Sequence, residues 1–138
     1  MRYKVYIPSK GRSGRVTTHN LFLESTIVCP ESEYDLYKEY HENVIAVPDD
    51  VKGITKTRNW ILNNVEDEWM IQVDDDALSF HMFEEGKMRK FIDAEKIHEI
   101  IDNQFQLCED WGLKAWGFSL AADYKFYREY TPFSTQGV

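Results

Sequence analysis

The chain has 138 residues, room for one domain, and its 43% hydrophobic and 14% aromatic content supports a packed core and excludes a disordered chain. Its apolar runs are short, as in Ile27-Val28-Cys29, which excludes a membrane-spanning helix, and no basic segment leading into a long apolar stretch opens it, so no signal peptide is expected. The net charge of −8 is unevenly divided: residues 1–23 hold five basic and no acidic side chains, which leaves −13 on the remainder and favours one small polyanion over a broad nucleic-acid footprint.

In chain order, residues 2–7 alternate polar and apolar and read as a strand, stopped by Pro8. Residues 9–15 form a loop with three cations, two hydroxyls and two glycines, and residues 16–24 a short helix. A second strand covers Thr26 to Cys29. Ser32 is the expected cap of a helix over 33–41, with Tyr34, Tyr37 and Tyr40 at helical spacing. Val44 to Val47 is a third strand, closed by Pro48-Asp49-Asp50. Thr55 is the expected cap of a helix over 56–64, where Arg58, Ile61, Leu62 and Val65 share a side.

Trp69 to Val73 reads as a fourth strand running into Asp74-Asp75-Asp76. Residues 78–92 form a hairpin. Asp93 caps a helix whose face is Ile97, Ile100, Ile101, Gln104, Phe105, Cys108 and Trp111, and Gly112 ends it. Residues 114–120 are a fifth main strand. Strands alternating with helices imply an α/β domain with a mostly parallel sheet and helices on both faces, whose ligands bind at the carboxyl ends of the strands.

Three polar clusters fall at those ends: Ser9 to Arg15, Pro48 to Arg58, and Asp74 to Asp76. Three aspartates after a buried-looking strand repel one another unless a cation is present, and hard oxygen ligands suit Mg²⁺ or Mn²⁺ held by carboxylates and substrate phosphates. The basic loop Ser9 to Arg15 can turn backbone amides toward an anion, but it is neither a P-loop nor a dinucleotide fingerprint. Lys56 and Arg58, beside Thr57, fall early in a predicted helix, where cations oppose the helix dipole and a bound anion would relieve the conflict. His19, His41, His81 and His98 are scattered, and Trp60, Trp69, Trp111 and Trp116 read as core residues. Cys29 and Cys108 lack metal-ligand spacing and read as reduced structural thiols of a cytosolic protein.

Gly53-x-x-x-Thr57-Arg58-Asn59, Trp69 to Asp76 and the opening Tyr6 to Arg12 together resemble nucleotide-sugar glycosyltransferases of the GT-A fold. Within that group the chain is similar to the small bacteriophage-type TET-associated glycosyltransferases, over residues 5 to about 120. The resemblance implies a GT-A-like (Rossmann-like) three-layer α/β/α sandwich. It also implies a metal-dependent transferase that moves a sugar from a nucleotide-diphosphate sugar, with UDP expected, to an acceptor such as hydroxymethylated phage DNA, in a bacterial or phage-infected host cytoplasm.

Carried over residue by residue, Pro8, Ser9 and Arg12, with Lys10 nearby, would line the base and ribose pocket. Thr57 and Arg58 would bind the donor, Arg58 at the diphosphate. Asp74 would bind ribose or metal, Asp75 the sugar hydroxyls, and Asp76 would be the direct Mn²⁺ or Mg²⁺ ligand. Such enzymes place acceptor residues after the fifth strand, where this sequence soon stops, so the single domain is expected to have a short or missing acceptor side. Asp123 is the candidate general base. The alternatives are a sugar-1-phosphate nucleotidyltransferase, which lacks its longer glycine-rich first loop here, and a non-catalytic nucleotide- or metal-binding module.

Overall fold

Four apolar runs, closed at Pro8, Pro30, Pro48 and Asp74, form the strands β1 (Lys4–Pro8), β2 (Thr26–Pro30), β3 (Val44–Val47) and β4 (Met70–Gln72). In the computed structural model, which describes residues 2–118, these pair in the order β3-β2-β1-β4, every pair parallel. The register sets Ile7 beside Ile27, Val28 beside Ile45 and Val5 beside Ile71. Parallel strands are covered on both faces, which is why these runs are nearly continuously apolar rather than strictly alternating.

The two faces have separate cores. On one, Val5, Ile7, Ile27 and Cys29 meet Tyr37 of α1 (Tyr34–Lys38) and Ile97, Ile101 and Phe105 of α3 (Ala94–Trp111). On the other, Tyr6, Val28 and Val47 meet Ile61 of α2 (Ile54–Asn64). Each fully buried Ile contributes about 1.5–3 kcal/mol of transfer free energy, so the cores hold the helices without strong helix propensity. The result is the expected α/β/α three-layer arrangement, consistent with a Rossmann-like glycosyltransferase fold.

The chain steps from β1 through β2 to β3 in one direction, then returns over α2 to β4 on the far side of β1. This reversal makes the carboxyl ends of β1 and β4 the topological switch point, where open α/β sheets place their ligands. Beyond β4 the antiparallel hairpin of β5 (Phe80–Glu84) and β6 (Lys87–Phe91) turns at Glu85-Gly86, both at positive φ, as a two-residue I′ connection requires. Asp93 caps α3 by accepting from the Lys96 amide at 2.8 Å, and Gly112 closes it in the left-handed conformation at φ 66°.

Several local expectations give way to tertiary demands. Residues 16–24 hold only a short 3-10 turn over Thr18–Leu21, because Thr17 and Thr18 bond to the loop after β4 instead of to a helix of their own. Ser32 does not cap α1; its side chain donates to Asp49, and the helix starts later, at Tyr34, after a 3-10 turn over Glu31–Glu33. Thr55 lies inside α2, which begins after Gly53 with no side-chain cap. Leu62 and Trp111 share their predicted faces with buried residues yet are 56% exposed, because neither core extends that far. Of the predicted fifth strand, residues 114–118 are not in a strand, and the remainder lies outside the described residues.

Candidate active site at the carboxyl ends of the strands

The loop after β1 is fixed from below. The Ser9 amide donates to the Val28 carbonyl at 2.9 Å, continuing the ladder past Pro8, and leaves Ser9 7% exposed. Ser9 Oγ donates to Asp75 Oδ2 at 2.5 Å, so the 2.7 Å contact with Tyr37 must be made by the phenol donating to Ser9. The same phenol oxygen accepts from the Arg12 amide at 3.1 Å. Burial pushes the Tyr37 pKa up, which keeps it protonated and able to play both roles. Gly11, at φ 66°, turns the loop and donates its amide to Glu33 at 2.7 Å. Arg12 thereby lies across the switch point, 3.1 Å from Asp75 Oδ1 and 3.3 Å from Asp76 Oδ2.

The acidic loop is held as firmly. Thr18, fully buried, donates to the Asp74 carbonyl at 2.5 Å and accepts from the Ala77 amide at 2.8 Å, bridging both ends of the aspartate run. The Thr17 amide donates to the Asp75 carbonyl at 3.0 Å. The three carboxylates therefore diverge. Asp75 turns inward, 13% exposed, with one oxygen on Ser9 and the other on Arg12. Asp74 and Asp76 point outward at 67% and 62%, paired with Arg58 at 2.7 Å and Arg12 at 3.3 Å. Their mutual repulsion is offset by two guanidinium groups.

α2 supplies the third wall. Gly53 stands at its N-cap position at φ 93°, a backbone that other residues rarely adopt, and its first-turn amides have no side-chain partner among the described residues. Lys56 is exposed in the first turn, and Arg58 reaches back to Asp74 from the second. Gln72 of β4 holds that turn by donating to the Arg58 carbonyl at 3.3 Å. The Nε of Arg58 is buried without a partner among the described residues.

Between these walls opens a cleft of about 440 Å³. Val28, Val47 and Val51 contribute apolar lining; Pro8, Ser9, Lys10, Thr57 and Asp75 line it as well. Of the residues singled out from sequence, Pro8, Ser9, Lys10, Thr57 and Asp75 thus share one cleft, while Arg12, Arg58, Asp74 and Asp76 stand at its β4 side through the contacts above. Asp123 lies outside the described residues. Asp49, within the expected polar cluster Pro48 to Arg58, lines the cleft as well, whereas Thr17, Thr18 and the Tyr37 hydroxyl, which position the site, are not singled out by the sequence.

Among the described residues, no three His, Cys, Asp or Glu side chains are placed to enclose a metal ion. A cage made wholly of protein ligands is therefore not built here. Asp74 and Asp76 each keep an oxygen without a partner among the described residues, which fits an ion shared between one or two carboxylates and substrate phosphates. Outside the site, Cys29 and Cys108 are buried free thiols, and burial pushes Cys29 up to about 11. No helix among the described residues is long and apolar enough to cross a membrane.

Comparison with curated proteins and with solved structures gives no match. The sequence model of the TET-associated glycosyltransferases, by contrast, matches residues 3–136, nearly the whole chain and every element of the site above. The chain belongs to the TET-associated glycosyltransferase family and is a glycosyltransferase.

Proposed function

We propose that the protein transfers a sugar from a nucleoside-diphosphate sugar, with uridine the expected nucleoside, to an acceptor, and that it does so with Mn²⁺ or Mg²⁺. The observation that carries this reading is the meeting of the basic loop, the uncapped α2 terminus and the acidic loop around one cleft at the switch point. Arg12, carried over to the base and ribose pocket, pairs with Asp75 and Asp76 instead, so that with Arg58 and the uncapped α2 terminus it is assigned here to the diphosphate leaving group. Pro8, Ser9, Lys10 and Thr57 bind the nucleoside part. Asp76, with Asp74, would hold the metal, whose contribution when bound is positive charge against the departing diphosphate oxygens. Asp75, locked under Ser9 and Arg12, orients the basic loop and offers its cleft-facing edge to donor hydroxyls.

Hydroxymethylated phage DNA is the proposed acceptor, and the net charge of −8 favours a small contact with it over a long duplex footprint. Asp123 is the proposed base for an inverting transfer. The test is UDP release from a panel of UDP-sugars with Mn²⁺, with and without DNA containing 5-hydroxymethylcytosine. Release that needs both the metal and the modified base is expected. Nucleotide binding without release from any sugar would instead support a non-catalytic module.

A further inference from the structure

We infer that Arg12 and Arg58 compete with the metal for the aspartates, so that metal and donor each bind weakly alone and strengthen one another. This deepens the proposed donor site and rests on it. Arg58 donates to Asp74 Oδ1 at 2.7 Å, and Nη1 of Arg12 lies 3.1 Å from Asp75 Oδ1 and 3.3 Å from Asp76 Oδ2. Ser9 takes Asp75 Oδ2, so the carboxylate oxygens of this run left open among the described residues are Oδ2 of Asp74 and Oδ1 of Asp76. A divalent ion at either one faces a guanidinium on the other oxygen of the same carboxylate, and like charges that close repel.

The two arginines are held differently. The Arg12 amide donates to the Tyr37 phenol at 3.1 Å, and its guanidinium rests on the inward-turned Asp75, so its charge stays at the site while its longer contact to exposed Asp76 can be given up. Arg58 reaches Asp74 through an exposed pair, and the packing around it does not complete its bonding: its Nε, and Oε1 of the neighbouring Gln72, are buried without partners among the described residues. Exposed pairs of this kind add little to stability, so both can open at low cost. A diphosphate offers the guanidinium groups stronger, bidentate acceptors. Once they turn to it, the aspartate oxygens pass to the ion. The coupling is reciprocal, each ligand raising the affinity of the other by one common factor.

The test is Mn²⁺ binding without nucleotide, read from the electron paramagnetic resonance signal of the free ion, for wild type, Arg12→Gln and Arg58→Gln. Each arginine variant is expected to bind Mn²⁺ alone about 3- to 10-fold more tightly than wild type, although it binds UDP more weakly. Saturating UDP should strengthen Mn²⁺ binding in wild type by about tenfold or more, and by less in either variant. Lys4→Gln removes the same charge at the amino end of β1, away from the cleft, and should leave Mn²⁺ affinity unchanged. The two arginine variants are independent, so one serves if the other folds poorly. Unchanged Mn²⁺ affinity in either folded arginine variant, or an equal gain in Lys4→Gln, overturns the competition and leaves the donor site standing. A wild type that binds no Mn²⁺, or whose Mn²⁺ binding UDP does not strengthen, overturns the metal-bridged donor site and this inference with it.

Discussion

Replacing Thr18 by Val should cost the protein about 2–3 kcal/mol, although valine is nearly isosteric and more apolar. Thr18 is completely buried, and its hydroxyl links two backbone groups of the acidic loop, the Asp74 carbonyl at 2.5 Å and the Ala77 amide at 2.8 Å. Valine fills the space and leaves both groups without that partner. Each unpaired group costs about 1–3 kcal/mol, toward the lower end here because the loop is only partly buried. For a domain of this size roughly 3–5 °C of melting temperature accompanies each kcal/mol, so the midpoint should fall by about 6–15 °C. Thr18→Ser keeps the hydroxyl and loses one methyl, a cost of about 1 kcal/mol. Urea denaturation of the three proteins gives the comparison. The order wild type, Ser, Val is expected; a Val variant as stable as wild type, or a Ser variant as unstable as Val, would refute the bridging role and make Thr18 an ordinary packing residue.

Arg58→Gln should weaken UDP binding in calorimetry by about 10- to 100-fold, the worth of one charge-assisted bond, with an unchanged melting temperature. Asp76→Ala should abolish the metal dependence of UDP binding without unfolding the chain, because that side chain is 62% exposed; normal Mn²⁺-linked binding by the variant would remove Asp76 from the site. Burial lowers the His19 pKa, with His41 adding to it at a ring distance of 5.0 Å. The unfolded chain then takes up this proton first, so stability is fully present above the ordinary histidine value of 6.5 and is lost as pH falls below it. His19→Gln should flatten that acid limb in urea titrations, and an identical limb in the variant would assign it to other groups. Tyr37→Phe removes the donor to Ser9 and the acceptor of the Arg12 amide, and should both destabilise the fold by about 1–3 kcal/mol and weaken UDP binding.

The strands were legible because each is a short apolar run closed by proline or aspartate, and α3 because its cap, stripe and terminal glycine agree. The convergence of the clusters was legible for the same reason: alternating elements put their loops at one edge of the sheet. What eluded sequence was side-chain hydrogen bonding across it. Ser32 looks like a helix cap and is committed to Asp49; Thr17 and Thr18 look helical and are committed to the loop after β4. Tyr37 reads as one of three tyrosines on a helix face, yet it alone is buried deeply enough to place its hydroxyl under Ser9. Three successive aspartates are alike in sequence, and only the loop's path separates Asp75, turned inward, from its exposed neighbours.

The most direct measurement is calorimetric titration of UDP into the protein with and without Mn²⁺. Binding that appears with the metal and vanishes without it is the predicted result. It would be expected of a site in which exposed aspartates share the ion with phosphates and Arg12 and Arg58 take the remaining charge. Equal UDP binding with and without Mn²⁺, or none in either condition, would contradict the account.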